Sequence, residues 1–189
     1  MMQQNFEKAL ACTLREEGGF TSDPRDKGGP TNLGVTQRVW ETYIGHAVDD
    51  AAMRALTLDD VRPLYRAFYW NKIAGDALPS GLDLALFDFA VNSGPSRASL
   101  TLQSLLSVKR DGIIGPNTLG AIYASKIPLL IAKLSTARLD SLRTLPAFST
   151  FGKGWTARVN RIAEEAAGMC GFKLQSIVTN ASAIFLHEV

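Results

Sequence analysis

Apolar positions along the chain recur mostly at helical spacing. Over residues 3–16, Phe6, Leu10 and Leu14 return every fourth position, which puts them on one face and predicts a first helix stopped by Gly18-Gly19. The following stretch, FTSDPRDKGGPTNLGVT, holds three Gly and two Pro among Asp, Ser, Thr and Asn, with no helical period. It predicts turns, with room for a short hairpin. A helix is expected from about Thr36 and another from Thr57, where Asp60 three residues on has the form of a capping box. Pro63 comes late for that helix's first turn and predicts a kink. After a loop at 75–79, LDLALFDFAVNSG places Leu82, Ala85, Leu86, Phe89 and Ala90 on one stripe, a central buried helix ending at Gly94-Pro95.

Helical pattern resumes over 96–106. In KRDGIIGPNTLGA, Asp111, Gly112 and Gly115 predict a tight turn and Pro116 the start of a short helix through 124. Pro128 opens a long amphipathic segment in which Leu130, Ile131, Leu134, Ala137, Arg138 and Leu142 keep helical spacing to about residue 144. A loop at 146–154 then precedes a helix over about 156–167, and the apolar tail from 172 has room for a last helix. Strand-like alternation is nearly absent, so the fold class is mainly α, without internal repeat or low-complexity linker.

With 189 residues, 46% of them hydrophobic and 20% charged, the chain can bury one core or two small ones, which excludes disorder, collagen and coiled coil. The net charge of +2 is too small to suggest nucleic acid as the main partner. Its distribution is uneven: residues 1–100 carry 10 basic and 13 acidic groups, residues 101–189 carry 10 and 5. A basic second half suits an anionic polymer or surface, or is simply a solvated face. Cys12 and Cys170 have no partner at metal-ligand spacing, and His46 and His187 are far apart, so neither a metal, a cofactor nor a disulfide framework is expected. Cys12, on the first helix, should behave as a small buried hydrophobe. No apolar run approaches the ~18 residues of a membrane span, so stable membrane insertion is not expected. The start MMQQNFEKAL has no basic, apolar export signal, which predicts synthesis in the cytoplasm.

Glu17 is the most informative position. It continues the stripe of Phe6, Leu10 and Leu14 and lies in the last turn of the predicted helix, where the unpaired carbonyls disfavour a negative charge. Burial and dipole both raise a carboxyl pKa, as a general acid at neutral pH requires. An exposed Glu at a frayed helix end is the other reading. The loop that follows brings Asp23, Asp26, Thr31 and Asn32 into a glycine-rich turn able to fold back beside Glu17. A carboxylic acid facing a carboxylate and a hydroxyl can protonate a glycosidic oxygen while water is activated on the other side, a lysozyme-type arrangement. Asp23 and Asp26 could instead make Asx turns with Pro24 and Gly28.

The run REEGGFTSDPRDKGGPTNLGVTQ resembles the signature of glycoside hydrolase family 108, N-acetylmuramidases that include phage endolysins and secretion-activator proteins of bacteria. The resemblance implies a lysozyme-like helical fold with a turn-rich loop or short hairpin after the first helix. It makes Glu17 the catalytic acid and puts Asp26, Thr31, Asn32 and Gln37 around the cleft. The spacing Glu, eight residues, Asp, then Thr is also similar to phage lysozymes, whose gap from Asp to Thr is usually five residues where this chain has four. AFYWNKIAGDALPSGLDLALFDFAVNSG is similar to the family's middle, which implies that Tyr69, Trp70, Asp88 and Asn92 line the groove. Asp88 and Asn92, one helical turn apart, are placed for a mutual hydrogen bond. Core packing is the alternative for Trp70.

LQSLLSVKRDGIIGPNTLGAI looks like the peptidoglycan-binding-type segment that follows the catalytic part, and GKGWTARVNRI like the family's closing motif, in which Trp155 packs and Arg158 and Arg161 pair with carboxylates. The expected organisation is residues 1–99 as the catalytic part and 100–189 as a helical peptidoglycan-binding-type part packed with it. Whether that second part binds the wall or completes the core stays open. The implied function is a peptidoglycan hydrolase cutting between N-acetylmuramic acid and N-acetylglucosamine. The alternatives are a lytic transglycosylase using the same Glu or a non-catalytic wall-binding secretion accessory. The partners expected are peptidoglycan glycan strands, with a holin or secretion system giving a monomeric protein access to the wall.

Overall fold

The computed structural model describes residues 2–15, 19–22, 29–174 and 186–188. Helix α1 (Met2–Leu14) leads into a small hairpin, β1 (Thr31–Asn32) and β2 (Val35–Thr36). Six helices follow: α2 (Gln37–Ile44), α3 (Asp50–Ala55), α4 (Leu58–Tyr65), α5 (Leu82–Ser93), α6 (Pro95–Leu105) and α7 (Pro116–Tyr123). Two long ones close the bundle, α8 (Ile127–Arg143) and α9 (Phe148–Gly168), before an antiparallel pair of strands, β3 (Phe172–Leu174) and β4 (Leu186–Glu188). Local chemistry accounts for many of the ends. Thr36 caps α2 by accepting from Val39 N, Thr57 and Asp60 close the expected capping box on α4, and Pro95, Pro116 and Pro128 sit in first turns. Pro63 stays inside α4, and a π turn (Arg66–Trp70) follows the helix directly.

Helix α5 is the axis. Every residue from Leu82 to Ala90 is buried, because α1, α6, α8 and α9 pack around it. The main core cluster runs from Phe6 to Ala166 and so passes through both halves of the chain. Its aromatic centre is Phe6, Trp70 and Phe87, in edge-to-face pairs 5.3 to 6.0 Å apart. Among the described residues no helix is long and apolar enough to cross a membrane.

Two expectations are corrected. The segment 146–154 is not a loop throughout: α9 starts at Phe148 and passes through Gly152 and Gly154. The bare Cα of Gly152 lets the Phe148 ring lie against the helix, and Phe148 and Phe151 both pack on Trp155, so tertiary contact outweighs the low helix propensity of glycine. In the tail, residues 172–174 and 186–188 pair as antiparallel strands, with Phe172 opposite Glu188 and Leu174 opposite Leu186, where a last helix was expected; residues 175–185 lie outside the described residues. Long-range pairing supplies what three alternating residues could not signal alone.

The deepest polar contact of the core is an ion triad. Asp88 of α5, fully buried, accepts from Arg138 Nη1 of α8 at 2.6 Å and from Arg158 of α9 at Nη2 (2.8 Å) and Nε (3.1 Å). It does not bond Asn92 as expected, because its carboxylate is taken by the two guanidiniums. Burial pushes the Asp88 carboxyl up, but the two cations outweigh it and hold it below its ordinary range. With a folded value beneath the unfolded one of about 3.9, this contribution is present above that value and lost as pH falls through the folded one. Asp88→Asn should cost about 3–5 kcal/mol by removing the counter-charge of two buried guanidiniums, read as a lower urea midpoint at pH 7. The difference from wild type should shrink below about pH 4.

Candidate active site

The face beyond the end of α1 is built on the first hairpin. Leu33 and Gly34 both take positive φ, 50° and 72°, as a two-residue turn of primed type requires, so the strands close tightly. Thr21 and Thr31 exchange backbone bonds of 2.8 Å in both directions, which adds the segment 19–22 to the hairpin's edge. Tyr65 donates its hydroxyl to Leu33 O at 2.9 Å, tying the turn to the core, and Arg54 lies 3.8 Å over the ring of Phe20.

Glu17 and Asp26, with Asp23, lie outside the described residues. Thr31 is half-buried on β1. Asn32 is buried, and its amide donates to Met53 O (2.9 Å) and Arg54 O (3.3 Å); it anchors the hairpin to α3 instead of facing a groove. Gln37 is also turned inward: Nε2 donates to Glu41 Oε1 (3.1 Å) and Val48 O (2.6 Å), and any side chain at Gly29 would meet its Oε1. Tyr69 is half-buried, stacks 5.5 Å from Tyr65, and lines a recess of about 290 Å³ with Arg38, Thr42, Phe68 and Lys72. Trp70 is a core residue with no exposed surface; its indole N–H donates to Asp76 at 2.9 Å, and Gly75 packs directly on its ring. Asn92 is exposed and accepts from Ser93 Oγ at 3.1 Å. Of the residues expected around the cleft, the structure thus keeps Thr31 and Tyr69 near the hairpin face and assigns Asn32 to anchoring the hairpin, Gln37 to the loop before α3 and Trp70 to the core.

Sequence reasoning missed the groups that fasten the end of α1. The Cys12 thiol donates to Glu165 Oε2 of α9 at 2.7 Å, and Arg15 Nη2 lies 2.9 Å from both oxygens of the same carboxylate. Burial raises the Cys12 pKa, and its bond to Glu165 adds to this, so it remains a thiol donor. Asp83 was also missed. It accepts from Gly81 N and Leu84 N, both at 2.7 Å, and from Asn5 of α1 at 2.8 Å; burial pushes its pKa up against those bonds. No signal in the sequence joins residues so far apart.

In the second half, the turn around Asp111 wraps the buried amide of Gln103, which donates to Asp111 Oδ1 (2.8 Å), Ile113 O (3.0 Å) and Thr118 Oγ1 (3.3 Å) and accepts from Gly112 N. Folding alone accounts for Asp, Gly and Thr at those places. Both Cys are free thiols, and among the described residues no group of three His, Cys, Asp or Glu converges as metal ligands would.

A mainly α bundle with a hairpin and a Gly-rich acidic motif after its first helix is the lysozyme-like class of glycoside hydrolase. The comparisons sharpen this: the glycosyl hydrolase 108 family matches residues 10–94. The solved structure of Brucella abortus SagA is 43% identical with a TM-score of 0.80, over 88% of this chain and 96% of that one. The chain belongs to the glycosyl hydrolase 108 family. No curated protein matches it. Membership makes it a glycoside hydrolase, and peptidoglycan hydrolase is the function class it supports.

Because Trp70 is core, Trp70→Phe should lower stability by about 1–3 kcal/mol through lost volume and the lost indole bond to Asp76. KM for peptidoglycan should stay unchanged per folded molecule; thermal melting beside steady-state kinetics checks both.

Proposed function

We propose that the chain is an N-acetylmuramidase that cuts the β-1,4 bond between N-acetylmuramic acid and N-acetylglucosamine, with Glu17 as general acid. The reading is carried by the Glu17-Gly18-Gly19 triplet, which follows α1 within the stretch matched to the family. Glu17 donates its proton to the glycosidic oxygen as the C1–O bond breaks, and water adds to C1 while its proton passes to the Asp26 carboxylate. Thr31, on the neighbouring strand, is the hydroxyl available to hold that water. Tyr69 and the recess beside it offer an apolar ring face to a sugar. If the two carboxyls stand about 6.5–9.5 Å apart the reaction inverts, and near 5 Å it retains.

The partner is the peptidoglycan glycan strand, met by a monomer that reaches the wall through a holin or a secretion system. The basic surplus of residues 101–189 favours approach to an anionic envelope. The rest of the second half completes the core on which the site stands.

Glu17→Gln should lower clearing of purified peptidoglycan about 10²- to 10⁴-fold at unchanged helical circular dichroism, and wild-type products should carry reducing ends. Anhydro ends would replace hydrolysis by transglycosylation. An active Glu17→Gln would remove the acid assignment, and an inactive wild type that sediments with the wall would make the chain a binding protein.

A further inference from the structure

The recess between α2 and the π turn carries two cations that the proposed cleavage does not use. It encloses about 290 Å³ and is lined by Arg38, Val39 and Thr42 from one face of α2 and by Phe68, Tyr69 and Lys72 from the π turn and the residues after it. That turn is wide, with Asn71 N reaching back to Arg66 O, so Phe68 and Tyr69 both meet α2 while Trp70 goes to the core. The recess adjoins the first hairpin. Helix α2 leaves β2 without a linker, and Tyr69 stacks on Tyr65, whose hydroxyl bonds Leu33 O in the hairpin turn.

Charge sets this recess apart. Residues 1–100 hold more acid than base, 13 groups against 10, and several of their cations are engaged: Arg15 with Glu165, Arg62 with Glu7 and Asp59, Arg66 with Asp76, and Arg54 over the Phe20 ring. Among the described residues Lys8, Arg38, Lys72 and Arg97 make no ion pair, and of these only Arg38 and Lys72 share one recess. No Asp or Glu lines it. The acids nearest to the two cations in sequence are taken: Glu41 accepts from Gln37 Nε2 and Val48 N, and Asp76 pairs with Arg66.

We propose that this recess binds the peptide stem of peptidoglycan, with alanine side chains against Val39, Phe68 and Tyr69 and carboxylates against Arg38 and Lys72. The proposal rests on the peptidoglycan reading given above and names the part of the polymer that this face recognises. A stem-bearing glycan strand has no charge of its own, because the lactyl carboxyl of each N-acetylmuramic acid is consumed in the amide bond to its peptide. The carboxylates belong to the stem, where dicarboxylic residues alternate with alanines. A groove for sugar rings alone has a use for the Tyr69 ring and none for two unpaired cations, whereas an apolar floor with a cationic rim complements such a peptide. Arg38 is able to grip a carboxylate by two parallel N–H bonds, and Lys72 acts as a point charge beside it.

The test compares soluble glycan fragments with their stems intact and after an amidase has removed them. Wild type should have the lower KM on intact strands. One exposed charge pair contributes up to about fivefold, so Arg38→Gln/Lys72→Gln should raise KM on intact strands about four- to twentyfold with little change in kcat, and the ratio of kcat/KM between intact and stripped strands should fall toward one. The wild-type advantage should also fade as salt approaches about 1 M, where the screening length is about 3 Å. Lys8→Gln/Arg97→Gln removes the same net charge from other exposed positions and should keep the wild-type ratio. All four side chains are exposed, so neither double variant disturbs the core.

Equal kcat/KM on intact and stripped strands in the wild type, or the same loss in both double variants, overturns the proposal. Stripping frees one lactyl carboxylate per disaccharide, so a preference for stripped strands that disappears in Arg38→Gln/Lys72→Gln assigns the cations to the sugar and overturns it as well. Pelleting with insoluble wall, intact or stripped, separates the failures. A wild type that cuts neither substrate yet pellets with intact wall through Arg38 and Lys72 loses the hydrolase reading and keeps the stem site; one that cuts both equally keeps the hydrolase reading and loses the stem site.

Discussion

Three helices are held in one rotational setting by the carboxylate of Asp88. Apolar burial is non-directional, and the many Leu, Ile and Ala side chains between α5, α8 and α9 would tolerate small rotations of each helix about its axis. Bonds of 2.6 and 2.8 Å to Arg138 and Arg158 would not. The arrangement has a cost: Arg138 Nε finds no hydrogen-bond partner among the described residues, and its guanidinium, 5.4 Å from the Phe89 ring, is desolvated. A buried charge in such a place is tolerable only while its partner remains.

The triad is one side of a polar triangle. Asn5 and Asp83 join α1 to α5, Asp88 and Arg158 join α5 to α9, and Glu165 returns from α9 to Cys12 on α1 and Arg15 just past it. Each side is directional, and each corner is a helix of the same apolar core. Helix α1 is therefore held near both of its ends, by Asn5 in its second turn and by Cys12 in its last. The first hairpin is held separately, by Asn32 to α3 and by Tyr65 to Leu33. The acidic motif joins these two rigid pieces.

Much of this was legible in the sequence, and for local reasons. The stripe of α5, the Thr57–Asp60 box and the prolines that open helices are short-range signals, read where they act. The motif after α1 points to glycoside hydrolysis from its residues alone. What failed was long-range. The resemblance puts Trp70 in the groove with core packing as the alternative, and only the contact with Phe6, Phe87 and Gly75 decides for the core. Asn32 and Gln37 stand in a motif of site residues yet face inward, because their amides satisfy carbonyls of Met53 and Arg54 and of Val48. Glu165, Asp83 and Gln103 are ordinary polar residues in sequence, and their importance comes from partners that pattern cannot name.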